Sequence, residues 1–141
     1  MKLVVDTNRI IAALVKDSTT RKILLLDEFT FLTAGATSLE IEEHKMELLN
    51  KTELTDDELN TILSVVFSRV HVVSDVVLQS KMPEAKQIMD SVDPHDTPFI
   101  ALALAVENDG IWSDDQHFKK QNRVRIWRTA DLLTLIRRGL L

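Results

Sequence analysis

Four acidic side chains stand where catalysis could use them: Asp6 in KLVVDTN, Glu40 in SLEIEEHK, Asp96 in DPHDTPF and Asp115 in IWSDDQHF. Each falls at a strand end, in a helical run or at a helix start. Carboxylates crowded on one rim repel, so a fold that gathers them usually neutralises them with divalent cations. Oxygen donors of this kind suit Mg²⁺ or Mn²⁺. The spacing argues for phosphodiester chemistry. Read one at a time, the acids have plainer roles: Asp6 and Asp96 as helix caps, Glu40 as a solvated helix residue. Only their joint arrangement points to a site.

The elements that must position them alternate. Leu3-Val4-Val5 is a short apolar run closed by polar residues, as expected of a buried parallel strand. Thr7 or Asn8 can cap a helix carrying Ile10, Ile11, Leu14 and Val15, and Ser18 to Thr20 reads as a further cap. Strands are expected at Phe29–Thr33, Val70–Val73, Ile111–Ser113 and Val124–Trp127. One helix is expected from about Ala36 to Asn50, and a capping box at Thr55 and Glu58 opens the next. Ser74 to Ser91 reads as one or two helices interrupted near Pro83. Thr97-Pro98 starts a helix that Gly110 should close, and Thr129 to Arg138 forms the last. This alternation predicts an α/β fold, a three-layer α/β/α sandwich around a parallel sheet of four to five strands. Sites in such sheets form beyond the carboxyl ends of the strands. Asp6, Glu40, Asp96 and Asp115 meet there if the first, second and fourth strands are close.

The chain has 141 residues, 45% hydrophobic and 28% charged, which is ordinary for one globular domain spanning residues 1–141. With no cysteine, disulfides and thiolate metal sites are excluded. The longest apolar stretch, Phe99 to Val106, is too short to span a bilayer and reads as core. No segment resembles a signal peptide, so a cytoplasmic location is the default expectation. Residues 119–141 hold seven basic groups against the single acid Asp131, a local +6 within a net charge of −5. A phosphate-contacting surface beside an acidic metal site is one reading of that segregation, and a solvated basic tail is the other. Three glycines (Gly35, Gly110, Gly139) leave no room for a P-loop or a dinucleotide fingerprint. An aspartate phosphoryl-transfer enzyme would use Asp6, but Asn8 stands where its second aspartate is needed. His44 and His71 read as structural or surface groups, whereas His95 and His117 adjoin the presumed site and are candidates for substrate contact.

The motifs VVDTN at 4–8, the helical acid of SLEIEEHK, the run from Asp93 to Leu104 and SDDQHF at 113–118 occur in series over nearly the whole chain. In these the chain resembles PIN-domain ribonucleases, the fold of many toxin–antitoxin toxins and RNA-processing nucleases. The resemblance implies metal-binding roles for Asp6, Glu40, Asp96 and Asp115, with Asp93 and Asp114 as outer ligands. Glu42 and Glu43 compete with Glu40, which fits the family pattern best. Thr7, Asn8 and Ser113 would orient carboxylates or bound water. Arg9, Arg21, Lys22, Lys119 and Lys120 are candidates for phosphate contacts. One or two Mg²⁺ or Mn²⁺ ions would activate water for in-line attack on RNA. The toxin of a type II pair, an antitoxin partner and a homodimer are further implications. The rival from another class is a non-catalytic module that keeps the fold for RNA binding or complex assembly.

Overall fold

A computed structural model describes residues 1–15 and 18–141. Its five strands are β1 (Lys2–Val5), β2 (Thr30–Ala34), β3 (Val70–Val73), β4 (Ile111–Trp112) and β5 (Ile126–Trp127). All pair in parallel, in the order β3-β2-β1-β4-β5. The first strand therefore lies directly between the second and the fourth.

Strand alternation explains the three layers. Successive side chains point to opposite faces of a sheet. Leu3, Val5, Phe31 and Trp112 enter one core with residues of α1 (Thr7–Ala12), α2 (Thr19–Leu24), α3 (Ala36–Glu43), α4 (Lys45–Thr52), α5 (Asp56–Phe67) and α9 (Thr129–Arg137). Val4, Ala34 and Ile111 enter the other with α6 (Asp75–Leu78), α7 (Met82–Met89) and α8 (Thr97–Ala105). Because β1 is buried on both faces, it reads as an unbroken apolar run. Phe99, Ile100, Ala101 and Leu102 of α8 are all buried, and so are Trp112 and Trp127. The apolar segment and both tryptophans are core.

Several local expectations hold and several are corrected. The Thr55–Glu58 capping box is formed, and Pro83 sits in the first turn of α7 after a 3₁₀ turn over Gln79–Lys81. The helix expected over 36–50 is two, broken at His44. Gly110 does not close α8. That helix ends at Ala105, followed by extended Val106, and the Asn108 side-chain amide donates to the carbonyls of Ala103 and Val106. Gly110 instead leads into β4 with φ of 130°, and a Cβ there would lie 2.5 Å from the Arg125 carbonyl oxygen. Among the described residues, no helix is long and apolar enough to cross a membrane.

Candidate active site

From β1 the sheet grows one way through β2 and β3, and the other way through β4 and β5. The carboxyl ends of β1 and β4 therefore flank the point where the topology reverses, the usual crevice of an open α/β sheet. Asp6 directly follows β1 and is buried. It, rather than Thr7 or Asn8, caps α1: its Oδ1 accepts from the Arg9 amide at 3.0 Å. Its Oδ2 accepts a short hydrogen bond from the hydroxyl of Ser113, the buried residue after β4. The same hydroxyl accepts from the Asp115 amide at 3.0 Å, so one serine ties both acid-bearing loops together. Burial pushes the Asp6 carboxyl up to about 6, against the opposing pull of Ser113 and Arg9 and with a further push from Asp115.

Asp96 arrives from the helical turn Pro94–Asp96 that runs into α8. It stands at the N-cap position yet its side chain caps nothing, and the Thr97 hydroxyl donates to Asp90 instead. Its Oδ2 is buried without a hydrogen-bond partner. Burial, followed by the charges of Asp93, Asp115 and Asp6, pushes the Asp96 carboxyl up to about 6, with His117 opposing. Three other aspartates therefore act on one buried oxygen. Asp93 and Asp115 each cap their own turn, accepting from the amides of His95 (3.0 Å) and His117 (2.9 Å). Between them lies the His117 ring, whose Nδ1 is 3.3 Å from Asp93 Oδ2, 3.4 Å from Asp96 Oδ2 and 3.5 Å from Asp115 Oδ1. Ligand atoms of Asp93, Asp96 and His117 all fall within 4.8 Å of one another.

Glu40 comes from α3 and is half-buried beside Thr7. Burial raises its carboxyl above the ordinary range, while the Thr7 hydroxyl, His95 and His44 oppose the rise and Glu43 adds to it. Glu40 is not among the charges that move Asp6 or Asp96. The fold gathers Asp6, Asp93, Asp96 and Asp115 and leaves Glu40 on the α3 side of the rim. Glu42 and Glu43 are exposed, Glu42 in a groove with Asn60 and Ser64 of α5. Thr7 lies within hydrogen-bond distance of Thr37 (3.2 Å), which is 2.9 Å from Thr33, whose hydroxyl also reaches the Val5 carbonyl. That buried hydroxyl chain braces the end of β1. Asn8 is exposed and orients no carboxylate among the described residues.

Three expected contacts are corrected. Asp114 points out of the cluster and accepts from Arg9 Nη1 (2.8 Å) and from the amide (2.8 Å) and hydroxyl (2.7 Å) of Thr129. Burial would raise its carboxyl, but Thr129, Arg9 and Arg128 together hold it below the usual value. Arg9 is thereby committed to Asp114 and is no free phosphate contact. Arg21 donates to the carbonyls of Ala13 and Val15 beyond the end of α1. The Arg9 role is set by Asp114 and Thr129, more than a hundred residues away, and the Arg21 role by backbone carbonyls beyond the end of the preceding helix, so no side-chain pattern announces either. Lys119 and Lys120 are exposed on the turn Gln116–Lys120 that begins beside Asp115. The inward seat of His117 has no local sequence signal; it follows from Phe118, wholly buried, which anchors that turn.

Asp93, Asp96 and His117, with a buried unpartnered oxygen on Asp96 and with Asp6 and Asp115 close enough for their charges to act on it, make a donor set that fits a divalent cation. The cleft lined by residues 103–104, 106–110 and 123–125, and the groove between α3 and α5, do not include these acids. No curated protein sequence gives a significant match to the chain. The family model for the PIN domain, a family made up generally of nucleases, matches residues 4–136. With the parallel sheet, the acidic rim and a match over almost its whole length, the chain belongs to the PIN-domain family.

Proposed function

We propose that this chain is a Mg²⁺- or Mn²⁺-dependent ribonuclease that hydrolyses RNA phosphodiester bonds at the rim beyond β1 and β4. The observation that carries this reading is Asp96 Oδ2, buried without a hydrogen-bond partner and within the field of Asp6, Asp93 and Asp115. A purely structural carboxylate would be paired. A bound divalent ion supplies charge neutralisation and lowers the pKa of water for attack on a phosphodiester.

The side chains divide the work. Asp6, Asp96, Asp115 and Asp93 would hold the ion, with Glu40 at the edge of the group. Ser113 and the Arg9 amide fix both oxygens of Asp6, so that carboxylate needs no reorganisation when it is used. Arg9 places positive charge close to Asp6 while its own head is held by Asp114 and Thr129. Lys119 and Lys120, exposed on the turn that begins at Asp115, would meet the RNA backbone.

Asp6→Asn is expected to lower metal-dependent RNA cleavage by at least about 100-fold, measured on a labelled RNA across Mg²⁺ and Mn²⁺. Wild type that binds RNA and never cuts it with either ion would favour the non-catalytic module instead. A role as the toxin of a type II pair, with an antitoxin partner and a homodimeric state, extends the same reading. Growth arrest on expression, relieved by a co-expressed partner that co-purifies, tests that extension.

A further inference from the structure

We propose that His117 is an imidazole ligand of this centre, and that it shifts the site's preference away from Mg²⁺ toward first-row transition ions that accept nitrogen. The inference rests on the metal-dependent reading above and names the ion class that the site selects.

Local structure holds the ring inward. The turn that carries it opens on Asp115, whose Oδ1 accepts the His117 amide, and closes on Phe118, which is fully buried. Although the side chain as a whole is 42% exposed, Nδ1 itself is buried and has no hydrogen-bond partner. Its distances to the three carboxylate oxygens, 3.3, 3.4 and 3.5 Å, exceed the roughly 2.7–2.9 Å of a formed charge-assisted bond. Asp96 Oδ2, 3.4 Å away, is the other buried unpartnered atom of the cluster. A donor nitrogen and a donor oxygen, both withdrawn from water and neither satisfying the other, face the same point. One cation would satisfy both.

The chemistry of the donor then bears on which cation. Mg²⁺ prefers oxygen and retains its waters, whereas transition ions later in the first row accept imidazole readily. Asp93 and Asp96 alone would suit either kind, so the nitrogen is the discriminating atom.

The test uses the full-length protein with Mn²⁺ and Co²⁺ as transition-ion probes and Mg²⁺ as the comparison. Calorimetric titration of wild type and His117→Gln, which exchanges the nitrogen donor for an amide oxygen, should show Co²⁺ affinity falling about 10–100-fold and Mn²⁺ affinity falling by less than Co²⁺. Mg²⁺ affinity should stay within a factor of about three. Pulsed EPR of the Mn²⁺-loaded wild type should show coupling to a ¹⁴N nucleus that persists in His95→Gln and vanishes in His117→Gln. Mn²⁺ bound without nitrogen coupling, or coupling that survives in a folded His117→Gln, overturns the assignment while leaving the carboxylate site intact. Failure of wild type to bind any of the three ions overturns both this inference and the proposed function. Should His117→Gln not fold, the wild-type and His95→Gln spectra decide alone: coupling retained in both supports the ligand, and coupling absent from wild type or lost with His95 refutes it.

Discussion

At the scale of single residues, the site is built against its own stability. Asp6 has a folded value of about 6, above its ordinary 3.8, chiefly through burial. An acid raised in this way leaves the fold unharmed below about pH 4 and weakens it as pH climbs through about 6, where only the unfolded chain ionises freely. For Asp6 the rise corresponds to a cost on the order of 3 kcal/mol. Asp96 adds to it in the same direction over the same window, by less because it is more open to solvent. Metal-free protein is therefore expected to lose melting temperature between about pH 4 and pH 7, and saturating Mn²⁺ should flatten the profile in thermal melts. Asp96→Asn should melt higher than wild type at pH 8 without metal, lose the Mn²⁺-induced rise and lose cleavage. The adjacent aspartates separate cleanly. Asp115→Asn should cut activity by at least about 100-fold, whereas Asp114→Asn should retain it within about threefold while loosening the Arg9–Thr129 contact. Parallel cleavage assays of the two variants check this.

At the scale of elements, what the sequence disclosed depended on whether a local signal existed. The strands were legible because each is a short apolar, mostly β-branched or aromatic run between polar breaks, and the Thr55–Glu58 box because two side chains declare it. The break at His44 has no such signal, as neither glycine nor proline stands there and the flanking charges suit one long helix. Asn-Asp-Gly imitates a helix terminator, but the work of Gly110 is done in the sheet. The Ile111 amide donates to the Arg125 carbonyl, and the Trp127 indole packs where a Cβ would go. Gly110→Ala is expected to cost roughly 2–4 kcal/mol in denaturant unfolding. Gly139→Ala, also at positive φ but with open space around it, should cost about 1 kcal/mol. Of the site, Asp6, Asp96 and Asp115 were legible from their places at strand and helix ends. The commitments of Arg9, Arg21 and Asp114 and the seat of His117 were not, since each is set by packing or by partners that no local pattern announces.

At the scale of the whole molecule, charge segregation survives folding only in part. Arg123 pairs with Glu84, Arg128 with Asp131, and Arg125 stacks 3.8 Å over the Trp127 ring. Lys119 and Lys120, by contrast, are exposed and unpaired among the described residues, at the end of the turn that begins after Asp115. Replacing both by Ala should weaken RNA binding evenly across sequences and reduce the slope of log affinity against log salt by about 1.4, at roughly 0.7 per single-strand phosphate contact. Filter binding over a salt series measures that slope. The two margins of the sheet differ in a further respect. β5 offers two residues of ladder, whereas β3 offers four and leaves His71 and Val72 uncovered. Strand-by-strand growth into a fibre needs a receptive margin on each side of every unit. A sheet with one extended margin and one stub has nowhere to pass the ladder on, so self-association through backbone pairing would stop at two copies.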